Sequence, residues 1–569
     1  RGQHRRQRGE RRRPTLGERE AVLGYRGRDG VERRLRLEFA PAPHSLEPHE
    51  ALFAVQLAPQ ATLRITVTLR CERDGRIPGQ AADFAEANDA ARARLRTLRE
   101  AQCDVSSSNT AFAAWIARSQ ADLDMLTTAL PTGPYPYAGI PWFNTAFGRD
   151  GIITALEALW AMPDMARGVL VFLAETQATE NDPARDAEPG KILHETRKSE
   201  MAALGEVPFG RYYGSIDATP LFVVLAAAYH ARSGDTAFIR RLWPNIAAAL
   251  AWMRDHGDLD GDGFIEYDRR AEQGLSNQGW KDSGDAIFHA DGRLARPPVA
   301  LVEVQAYAYA AWQGAAALAA ALGQAEDAHG YAARAEALRE RFEATFWCEE
   351  IGSYALALDG DKAPCRVRSS NAGHALFAGI VTPARAARVA ATLMQPEQFS
   401  GWGIRTIAMG ERRYNPMSYH NGSVWPHDNG LIAMGFARYG LRAPLLKVMD
   451  GMFAASAAVE LHRLPELFCG FPRREREGPT LYPVACSPQA WSSACAFALL
   501  GATLGISFHP GARQIRLTRP LLPDGVDELR IERLRMDGVS ADLLFRRDAG
   551  GVALSVLRKV GDAEIVVIA

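Results

Sequence analysis

Four loop segments of the sequence combine aromatic rings with carboxylates, amides and basic groups at close spacing. One of them, SNQGWKDSGDA, places Trp280, Lys281 and Asp282 side by side between two alanine-rich stretches. Cleavage of a glycosidic bond needs two carboxyl groups, one protonated and one ionised. Asp282 and Glu466, which lie far apart in the chain on loops between predicted helices, are the best-placed candidates for this pair.

The same segments carry side chains that suit a sugar ligand. Pyranose C–H faces stack on indole and phenol rings, and sugar hydroxyls need charged or amide partners. A turn, a structural Trp–Asp contact or a helix-entry ion pair at 149–150 would explain any one segment, but four such segments together favour a sugar-active site. The candidate binding residues in them are Trp142, Phe143, Arg149, Asp150, Tyr213, Asp217, Trp280, Lys281, His420, Asn421, Trp425 and His427.

Hydrophobic periodicity indicates the elements that must position these loops. From residue 110 to about 505 the chain is dominated by helix patterns, and SSSN at 106–109 offers N-cap residues for the first of them. Several of these helices are apolar around much of their circumference, so we expect them to be buried on more than one side. The loops between them are longer than bundle connections normally are. This pattern predicts a toroid of helical hairpins with its functional loops on one face.

Strand patterns flank the helical region on both sides, with alternating apolar and polar residues rich in β-branched types. The predicted fold is therefore mainly α, with a β-rich N-terminal domain and a small C-terminal β segment. The predicted regions are a disordered basic arm at 1–14, a partial β-sandwich-like domain at 15–81, a linker helix at 82–109, a helical catalytic barrel at 110–505 and a C-terminal β domain at 506–569.

Composition excludes several classes of function. The formal net charge of −1 gives no strong overall field for nucleic acid or anionic membranes, and the short basic stretch at 1–13 has no interleaved aromatic residues. No run of 18 apolar residues is present. The seven cysteines are widely spaced without a CxxC pair, which argues against a zinc site or a disulfide framework and favours a reducing cytoplasm.

The segment DLDGDGFIEYD resembles a calcium-binding loop. Asp258, Asp260 and Asp262 stand at positions one, three and five, with glycine at six. Position twelve, however, is Arg269 instead of the glutamate that binds calcium through both oxygens. We therefore expect a tight acidic turn, and neither a metal nor another cofactor in the reaction.

Seven motifs, taken together, resemble the bacterial amylo-α-1,6-glucosidase (glycogen-debranching-enzyme-like) family. They are PWFNTAFGRDGIITAL, YGSIDATPLF, DGDGFIEY, NQGWKDSGDA, YHNGSVWPHDNGLIA, PELFCGF and SPQAWSSA. They span roughly residues 110–505 in the family's order, and the β-rich stretch before them resembles the N-terminal domain of the same bacterial proteins. The resemblance implies an (α/α)6 barrel and an inverting mechanism.

The resemblance also implies roles for individual residues. The family's Trp-x-Asp pattern falls on residues 280–282, which makes Asp282 the general acid, while relatives with Trp-Asp directly adjacent leave Asp285 as a reserve candidate. The glutamate of the PEL segment, Glu466, matches the general base. Arg149 and Asp150 resemble a clamp on the hydroxyls of the terminal sugar. The implied walls of the pocket are Trp142, Trp425 and Trp491.

A general acid must hold its proton near neutral pH. For Asp282 this requires an apolar neighbour such as Trp280 or a nearby negative charge such as Asp285. The ammonium of Lys281 would oppose protonation if it faced Asp282. We therefore expect Lys281 to point away from Asp282 or to contact the substrate.

The predicted function is an inverting, exo-acting glycoside hydrolase on α-glucans or α-glucosides, above all an α-1,6-glucosidase. One alternative keeps the barrel but changes the sugar to trehalose, an α-mannoside, an α-rhamnoside or a glucosylglycerate-type solute. Another is a non-catalytic carbohydrate-binding protein. The expected partners are an oligo- or polysaccharide and, through exposed strand edges of the partial N-terminal domain, a second copy of the chain.

Overall fold

The computed structural model describes residues 7–77, 79 and 83–568. Helix accounts for 38% and strand for 21% of the chain, so the protein as a whole is mixed α and β. The prediction of a mainly α protein therefore holds only for the region between residues 110 and 504, in which the strands are short.

The helices follow one another along most of the chain. They are α1 Phe84–Ala101, α2 Thr110–Leu126, α3 Gly148–Glu157, α4 Pro163–Glu175, α5 Glu200–Ala203, α6 Ala218–Ser233, α7 Thr236–Asp255, α8 Val302–Ala321, α9 Ala325–Thr345, α10 Asn371–Ala378, α11 Pro383–Leu393, α12 Pro426–Arg438, α13 Arg442–Ala457 and α14 Ala490–Leu504.

The strands concentrate at the two ends of the chain. They are β1 Glu10–Arg11, β2 Thr15–Leu16, β3 Glu20–Arg26, β4 Glu32–Ala40, β5 Ser45–Glu47, β6 Glu50–Leu52, β7 Thr66–Arg73, β8 Asp104–Ser107, β9 Thr127–Leu130, β10 Gly133–Pro136, β11 Ala300–Leu301, β12 Trp347–Cys348, β13 Ser353–Tyr354, β14 Ala357–Leu358, β15 Ile506–His509, β16 Gln514–Thr518, β17 Glu528–Met536, β18 Val539–Asp548, β19 Gly551–Val560 and β20 Glu564–Ile568.

The chain divides into two compact units. Unit 1 comprises Arg1–Leu98 and Arg197–Gly210, and unit 2 comprises Arg99–Thr196 and Arg211–Ala569. In unit 1, β1, β3, β4 and β7 form an antiparallel sheet in that order, β2 also pairs with β3, and β5 and β6 form a separate ribbon. The described residues of unit 1 thus contain one five-stranded sheet and one two-stranded ribbon.

Two predictions about residues 1–109 need correction. A disordered basic arm is predicted over residues 1–14, but Glu10–Arg11 form β1 and pair with β3; residues 1–6 lie outside the described residues. A linker helix is predicted over residues 82–109, and α1 fills much of that segment. The end of the predicted segment, however, forms β8, and this strand pairs with β17 of the C-terminal region.

Twelve helices in the described part of unit 2 form two concentric layers. The inner helices α3, α6, α8, α10, α12 and α14 pack side by side in that order, and α14 packs against α3, so they close a ring. The outer helices α2, α4, α7, α9, α11 and α13 alternate with them along the chain and pack against the inner ones. The described residues thus form a ring of paired helices, an arrangement consistent with the predicted toroid.

Burial patterns explain why a given helix is inner or outer. The inner helix α8 is rich in alanine and aromatic residues and buries thirteen side chains around its circumference. The outer helix α9 buries only Ala335, Leu338 and Phe342, which recur three and four residues apart on one face, and its other positions are mostly charged or small. As predicted, α2 has a side-chain N-cap: Asn109 accepts hydrogen bonds from the amides of Ala111 and Phe112.

The order of the helices places the long loops at one end of the ring. Connections that lead from an inner to an outer helix are short, such as residues 234–235 and 322–324. Connections that lead back to an inner helix are long, such as residues 256–301, 394–425 and 458–489. Because the chain alternates direction between the layers, the amino-terminal ends of the inner helices gather on the side of the long loops.

The C-terminal region forms two sheets. One contains β15, β16 and β20 in that order, with β16 and β20 parallel; the other contains β19, β18, β17 and β8. Among the described residues, no helix is long and apolar enough to cross a membrane.

Candidate active site

The inner helices bring the predicted clamp residues together at their amino-terminal ends. Arg149 and Asp150 lie in the first turn of α3, and Asp217 is the N-cap residue of α6. All three are buried. The guanidinium of Arg149 donates a hydrogen bond of 2.9 Å to Asp217 Oδ2, and its Nη2 lies 3.5 Å from Asp282 Oδ2. Arg149 thus joins two helices of the ring to the loop that carries Asp282.

The charges around Arg149 keep it ionised. Burial alone would lower the pKa of Arg149, but the carboxylates of Asp217, Asp282 and Asp150 more than compensate and raise it. Burial also raises the pKa of Asp217, and Arg149 opposes that shift. The result is a buried cation paired with carboxylates. In such an arrangement, removing either partner strongly destabilises the fold.

The loop before Asp282 is held by aromatic packing. Trp280 is buried, and its ring stacks on His374 at a centroid distance of 5.9 Å and an interplanar angle of 8°. Its edge also meets the rings of Trp425 and His427 at 5.7 and 5.0 Å. Ring packing therefore fixes the position of Trp280 at the start of the segment that carries Asp282.

Lys281 points away from Asp282, one of the two outcomes expected from the sequence. It is 1% exposed, and its Nζ donates a hydrogen bond of 2.7 Å to the carbonyl oxygen of Thr406. Burial lowers the pKa of Lys281 to about 8, while Asp428 and Glu303 oppose the shift. Lys281 thus anchors the loop to a neighbouring segment, and the structure gives it this role instead of the predicted one on the substrate.

Glu466 lies on the loop between α13 and α14 and is 1% exposed. Its Oε1 accepts a hydrogen bond of 2.5 Å from the hydroxyl of Tyr419, and its Oε2 accepts one of 2.9 Å from the amide of Cys486. Burial raises the pKa of Glu466 to about 7, although both hydrogen bonds favour the carboxylate; the charge of Asp282 adds to the rise. Glu466 therefore titrates near neutral pH.

Asp150 belongs to the same group of interacting acids. Burial raises its pKa to about 7; Arg149 opposes the shift, and the charges of Glu466 and Asp282 add to it. Gln489 donates a hydrogen bond of 3.4 Å to Asp150 Oδ2 from the residue before α14. The charges of Glu466 and Asp282 thus act on Asp150, and that of Asp282 acts on Glu466.

Aromatic and imidazole rings form one wall beside these acids. His427, in the first turn of α12, stacks on Trp491 in the first turn of α14, with ring centroids 3.7 Å apart. His420 stacks on Trp425 at 5.1 Å. Burial lowers the pKa of both histidines well below the usual value, so they are neutral at neutral pH. His427 is fully buried, and neither of its ring nitrogens has a hydrogen-bond partner among the described residues.

The reserve acid, Asp285, differs from Asp282 in its surroundings. It is exposed, and its Oδ2 accepts a hydrogen bond of 3.1 Å from Asn421 Nδ2. Asn421 Nδ2 also donates to the main-chain oxygen of Asp285 at 3.1 Å. Asp282 is the one that pairs with Arg149 and acts on the charge of Glu466. Of the two aspartates, Asp282 is therefore the one that lies beside the predicted clamp residue.

Three predicted residues lie at the edge of the site or serve packing. The side chain of Trp142 is 55% exposed, and its Nε1 donates a hydrogen bond of 2.9 Å to the oxygen of Val484. Phe143 is half-buried and meets Phe147 edge to face. Tyr213 is buried, and its hydroxyl donates to the main-chain oxygen of Thr176 at 2.8 Å. This hydrogen bond gives Tyr213 a structural role that its place in a polar segment did not reveal.

Sequence reasoning missed several residues that support the site. Tyr419 stood inside the quoted YHNGSVWPHDNG motif, but nothing in its spacing linked it to Glu466. His374 pairs with Asp428 at 2.6 Å, with both side chains fully buried, and Tyr307 hydrogen-bonds the other nitrogen of His374. These three residues lie on α10, α12 and α8, far apart in sequence, and only the ring of helices brings them beneath Trp280.

The acidic segment 258–262 forms a compact turn. Ligand atoms of Asp258, Asp260 and Asp262 lie within 4.8 Å of one another. Asp258 accepts hydrogen bonds from the amides of residues 261 and 263, and the ammonium of Lys362 lies 2.9 Å from Asp260 and 2.7 Å from Asp262. Lys362 thus supplies the positive charge that balances these aspartates.

The comparison with family models identifies a glycoside hydrolase domain in the chain. The family model described as "Mannosylglycerate hydrolase MGH1-like glycoside hydrolase domain" matches residues 142–468, more than half of the chain. The chain belongs to this MGH1-like family of glycoside hydrolases. Residues 1–68 match the model of the N-terminal domain of (some) glycogen debranching enzymes, which confirms the resemblance of the β-rich stretch before the motifs to that domain. A comparison with curated proteins gave no match.

Solved structures share the fold at low sequence identity. A GH78 family rhamnosidase of Bacillus sp. GL1 is 15% identical with a TM-score of 0.59, over 97% of this chain and 54% of that one. The GH63 mannosylglycerate hydrolase from Thermus thermophilus is 15% identical with a TM-score of 0.50, over 68% of this chain and 99% of that one. The chain therefore spans about half the length of the rhamnosidase and the whole of the hydrolase.

Proposed function

We propose that the protein is an inverting, exo-acting glycosidase that removes terminal α-glucosyl residues from α-glucans or α-glucosides, with the α-1,6 linkage preferred. The observation that carries this proposal is the meeting of Asp150, Asp282 and Glu466 beside Arg149 and a wall of aromatic rings. The ring of paired helices supports an (α/α)6 barrel, and the debranching-enzyme match of residues 1–68 supports a glucan substrate.

In the proposed reaction, Asp282 gives a proton to the glycosidic oxygen as the bond from that oxygen to C1 breaks. Glu466, as a carboxylate, takes a proton from a water molecule whose oxygen bonds to C1 from the opposite face. The products are an alcohol and a free sugar of inverted configuration, and the site is left with Asp282 ionised and Glu466 protonated. Carboxyl groups and water suffice, so we propose no cofactor.

The remaining candidate residues contribute to binding of the sugar. We propose that Arg149 and Asp150 hold hydroxyls of the terminal sugar, and that the neutral, buried ring of His427 supports Trp491 from behind through ring stacking. Trp425 and Trp491 provide apolar faces at the same end of the ring. Each proton transfer by a positioned carboxyl group contributes about 10²–10⁴-fold to the rate.

The test measures hydrolysis of isomaltose, panose and a branched dextrin by the wild type, Asp282→Asn and Glu466→Gln. We expect each variant to lose about 10²–10⁴-fold in kcat on a substrate that the wild type cleaves. NMR of the first-formed sugar should show the β anomer, as inversion requires. If both variants keep near-normal rates, the carboxyl pair is not catalytic and the proposal is wrong.

A second candidate substrate class is a small glycoside with a glycerate-type or rhamnosyl group. It is favoured by the family description of residues 142–468 and by the likeness in fold to a mannosylglycerate hydrolase and a rhamnosidase. A panel of mannosylglycerate, glucosylglycerate, trehalose and aryl α-rhamnoside, assayed beside the glucans, separates the candidates. Activity on one of these alone would keep the carboxyl pair and replace the proposed sugar.

A further inference from the structure

Three consecutive residues contact Glu466 and the loop that carries Asp282. The hydroxyl of Tyr419 donates to Glu466 Oε1 at 2.5 Å. His420 Nδ1 lies 3.3 Å from the amide and 2.7 Å from the hydroxyl of Ser283, the residue after Asp282. Asn421 holds Asp285, further along the same loop. One short segment is therefore bonded to the base on one side and to the acid loop on the other.

The segment 419–421 is itself held firmly. The main-chain oxygen of Tyr419 accepts hydrogen bonds from Ser423 Oγ at 2.6 Å and from Trp425 Nε1 at 3.0 Å. The oxygen of Asn421 accepts one of 2.7 Å from the amide of Asn415. The rings of Tyr419 and His420 both pack against Trp425, at 4.9 and 5.1 Å. Because its main chain and its rings are fixed, this segment can hold the groups that it contacts in defined positions.

The protonation of His420 follows from its partners. A main-chain amide can only donate, so His420 Nδ1 is an acceptor, and the ring proton resides on Nε2. Burial keeps this histidine neutral by lowering its pKa well below the usual value. His420 is thus a fixed acceptor for Ser283, and neither contact depends on pH in the neutral range.

We propose that residues 419–421 form a bracket that sets the separation of Asp282 and Glu466, with Tyr419 positioning the base and His420 positioning the acid loop. This inference rests on the proposed function. The separation of the two carboxyl groups decides whether a water molecule fits between base and sugar, so an error of about 1 Å there costs about 100-fold in rate. The hydrogen bond from Tyr419 also favours the ionised form of Glu466 against the effect of burial.

Tyr419→Phe tests the base side of the bracket. We expect kcat to fall about 10- to 100-fold with KM within about twofold, because the lost hydroxyl holds a charged group and does not bind the sugar. The acidic limb of the pH profile should move to higher pH, since the hydrogen bond that lowers the pKa of Glu466 is gone. In a Glu466→Gln background the same change should have little further effect.

Tyr439→Phe is the matched control. Its hydroxyl donates to the main-chain oxygen of Val381 at 2.6 Å, at the carboxyl-terminal end of α12, so the same atom is removed with a similar loss of stability. Its kcat and pH profile should match those of the wild type. If Tyr419→Phe behaves like Tyr439→Phe in both measurements, Tyr419 does not position the base.

His420→Phe and His420→Asn test the acid side. The phenylalanine keeps a ring but removes the acceptor for Ser283, whereas the amide oxygen of asparagine restores it. We expect kcat on a natural glycoside to fall about 10- to 100-fold in His420→Phe and to recover at least in part in His420→Asn. Equal losses in the two variants, with thermal unfolding curves like that of the wild type, would overturn the acid side of the bracket.

Glucosyl fluoride separates the two sides, because fluoride leaves with little help from an acid. His420→Phe should retain most of its activity on this substrate, while Tyr419→Phe stays slow because the attacking water still needs Glu466. If Asp282→Asn and Glu466→Gln keep their activity on all substrates, the proposed function fails. If those two lose activity while the bracket variants do not, only the present inference fails.

Discussion

Asp282 and Glu466 lie in contrasting surroundings within one site. The carboxylate of Asp282 is 25% exposed, lies beside the cation of Arg149 and stands on a loop anchored by Lys281 and Trp280. Glu466 is 1% exposed and held by Tyr419 and a main-chain amide. Burial raises the pKa of Glu466 to about 7.

This contrast shows that burial alone does not identify the proton donor. A simple rule would give the donor role to the more buried acid, which is Glu466. The proposal gives it to Asp282, because the family pattern and the contact with the clamp residue Arg149 place Asp282 at the terminal sugar. The charge of Arg149 is shared with Asp217, which lies closer to it than Asp282 does. The predictions below test this assignment.

The largest expected effect distinguishes the proton donor from the general base. On α-glucosyl fluoride, Asp282→Asn should recover activity to within about tenfold of the wild type, since no proton need be given to the leaving group. Glu466→Gln should remain slower by about 10²–10⁴-fold, because the water still needs a base. Initial rates of fluoride release measure both. The opposite pattern would exchange the roles of the two residues.

The next effect concerns the pH profile of kcat/KM. A base with a pKa of about 7 must lose its proton to act, so the rate should fall about tenfold per pH unit below pH 7. Asp150, with a pKa also near 7, makes the fall steeper if the clamp must be ionised as well. Values of kcat/KM measured from about pH 4 to about pH 9 show this acidic limb of the profile. A midpoint between about pH 4 and pH 5 would contradict the shifted pKa of Glu466.

Lys281→Met tests the anchor of the acid loop. It removes the hydrogen bond to the Thr406 oxygen, so we expect unfolding to become easier by about 1.5–3 kcal/mol. It should lower kcat and leave KM within about twofold, because the ammonium does not reach the sugar. Chemical denaturation and steady-state kinetics measure the two effects. The control is Lys447→Met at an exposed position, and a rise in KM alone would restore the predicted contact with substrate.

The last effect, which does not involve catalysis, is a change in stability with pH. The folded-state pKa of Glu466 lies above its ordinary value, so its contribution is most favourable below pH 4.5 and is lost as pH rises to about 7. A shift from 4.5 to about 7 corresponds to at most about 3 kcal/mol. Glu466→Gln should therefore gain stability relative to the wild type as pH rises.

Thermal unfolding at about pH 4.5 and about pH 8 checks this expectation. The difference in Tm between Glu466→Gln and the wild type should grow in favour of the variant at the higher pH. Glu340→Gln, an exposed change on α9, should show no such trend. A constant difference across this range would mean that folding does not raise the pKa of Glu466.

The sequence by itself determined the helical region, the strands that flank it and the main chemical groups of the site. Periodic apolar residues in α8 and α9 report burial directly, and Asn109 as an N-cap follows from local hydrogen bonding. Trp280, Asp282 and Glu466 were recognisable because their residue types and neighbours match a sugar site. These features depend on short stretches of chain.

Only the tertiary structure decided which distant residues meet. Six helix ends gather at one face of the ring, and so Arg149 reaches Asp217 and Asp282, while Tyr419 reaches Glu466. The same packing gave Lys281 a main-chain partner and buried Glu466, so that its pKa rises. Hydrogen bonds and charge effects between residues far apart in the chain depend on distances in space, which spacing along a chain does not contain.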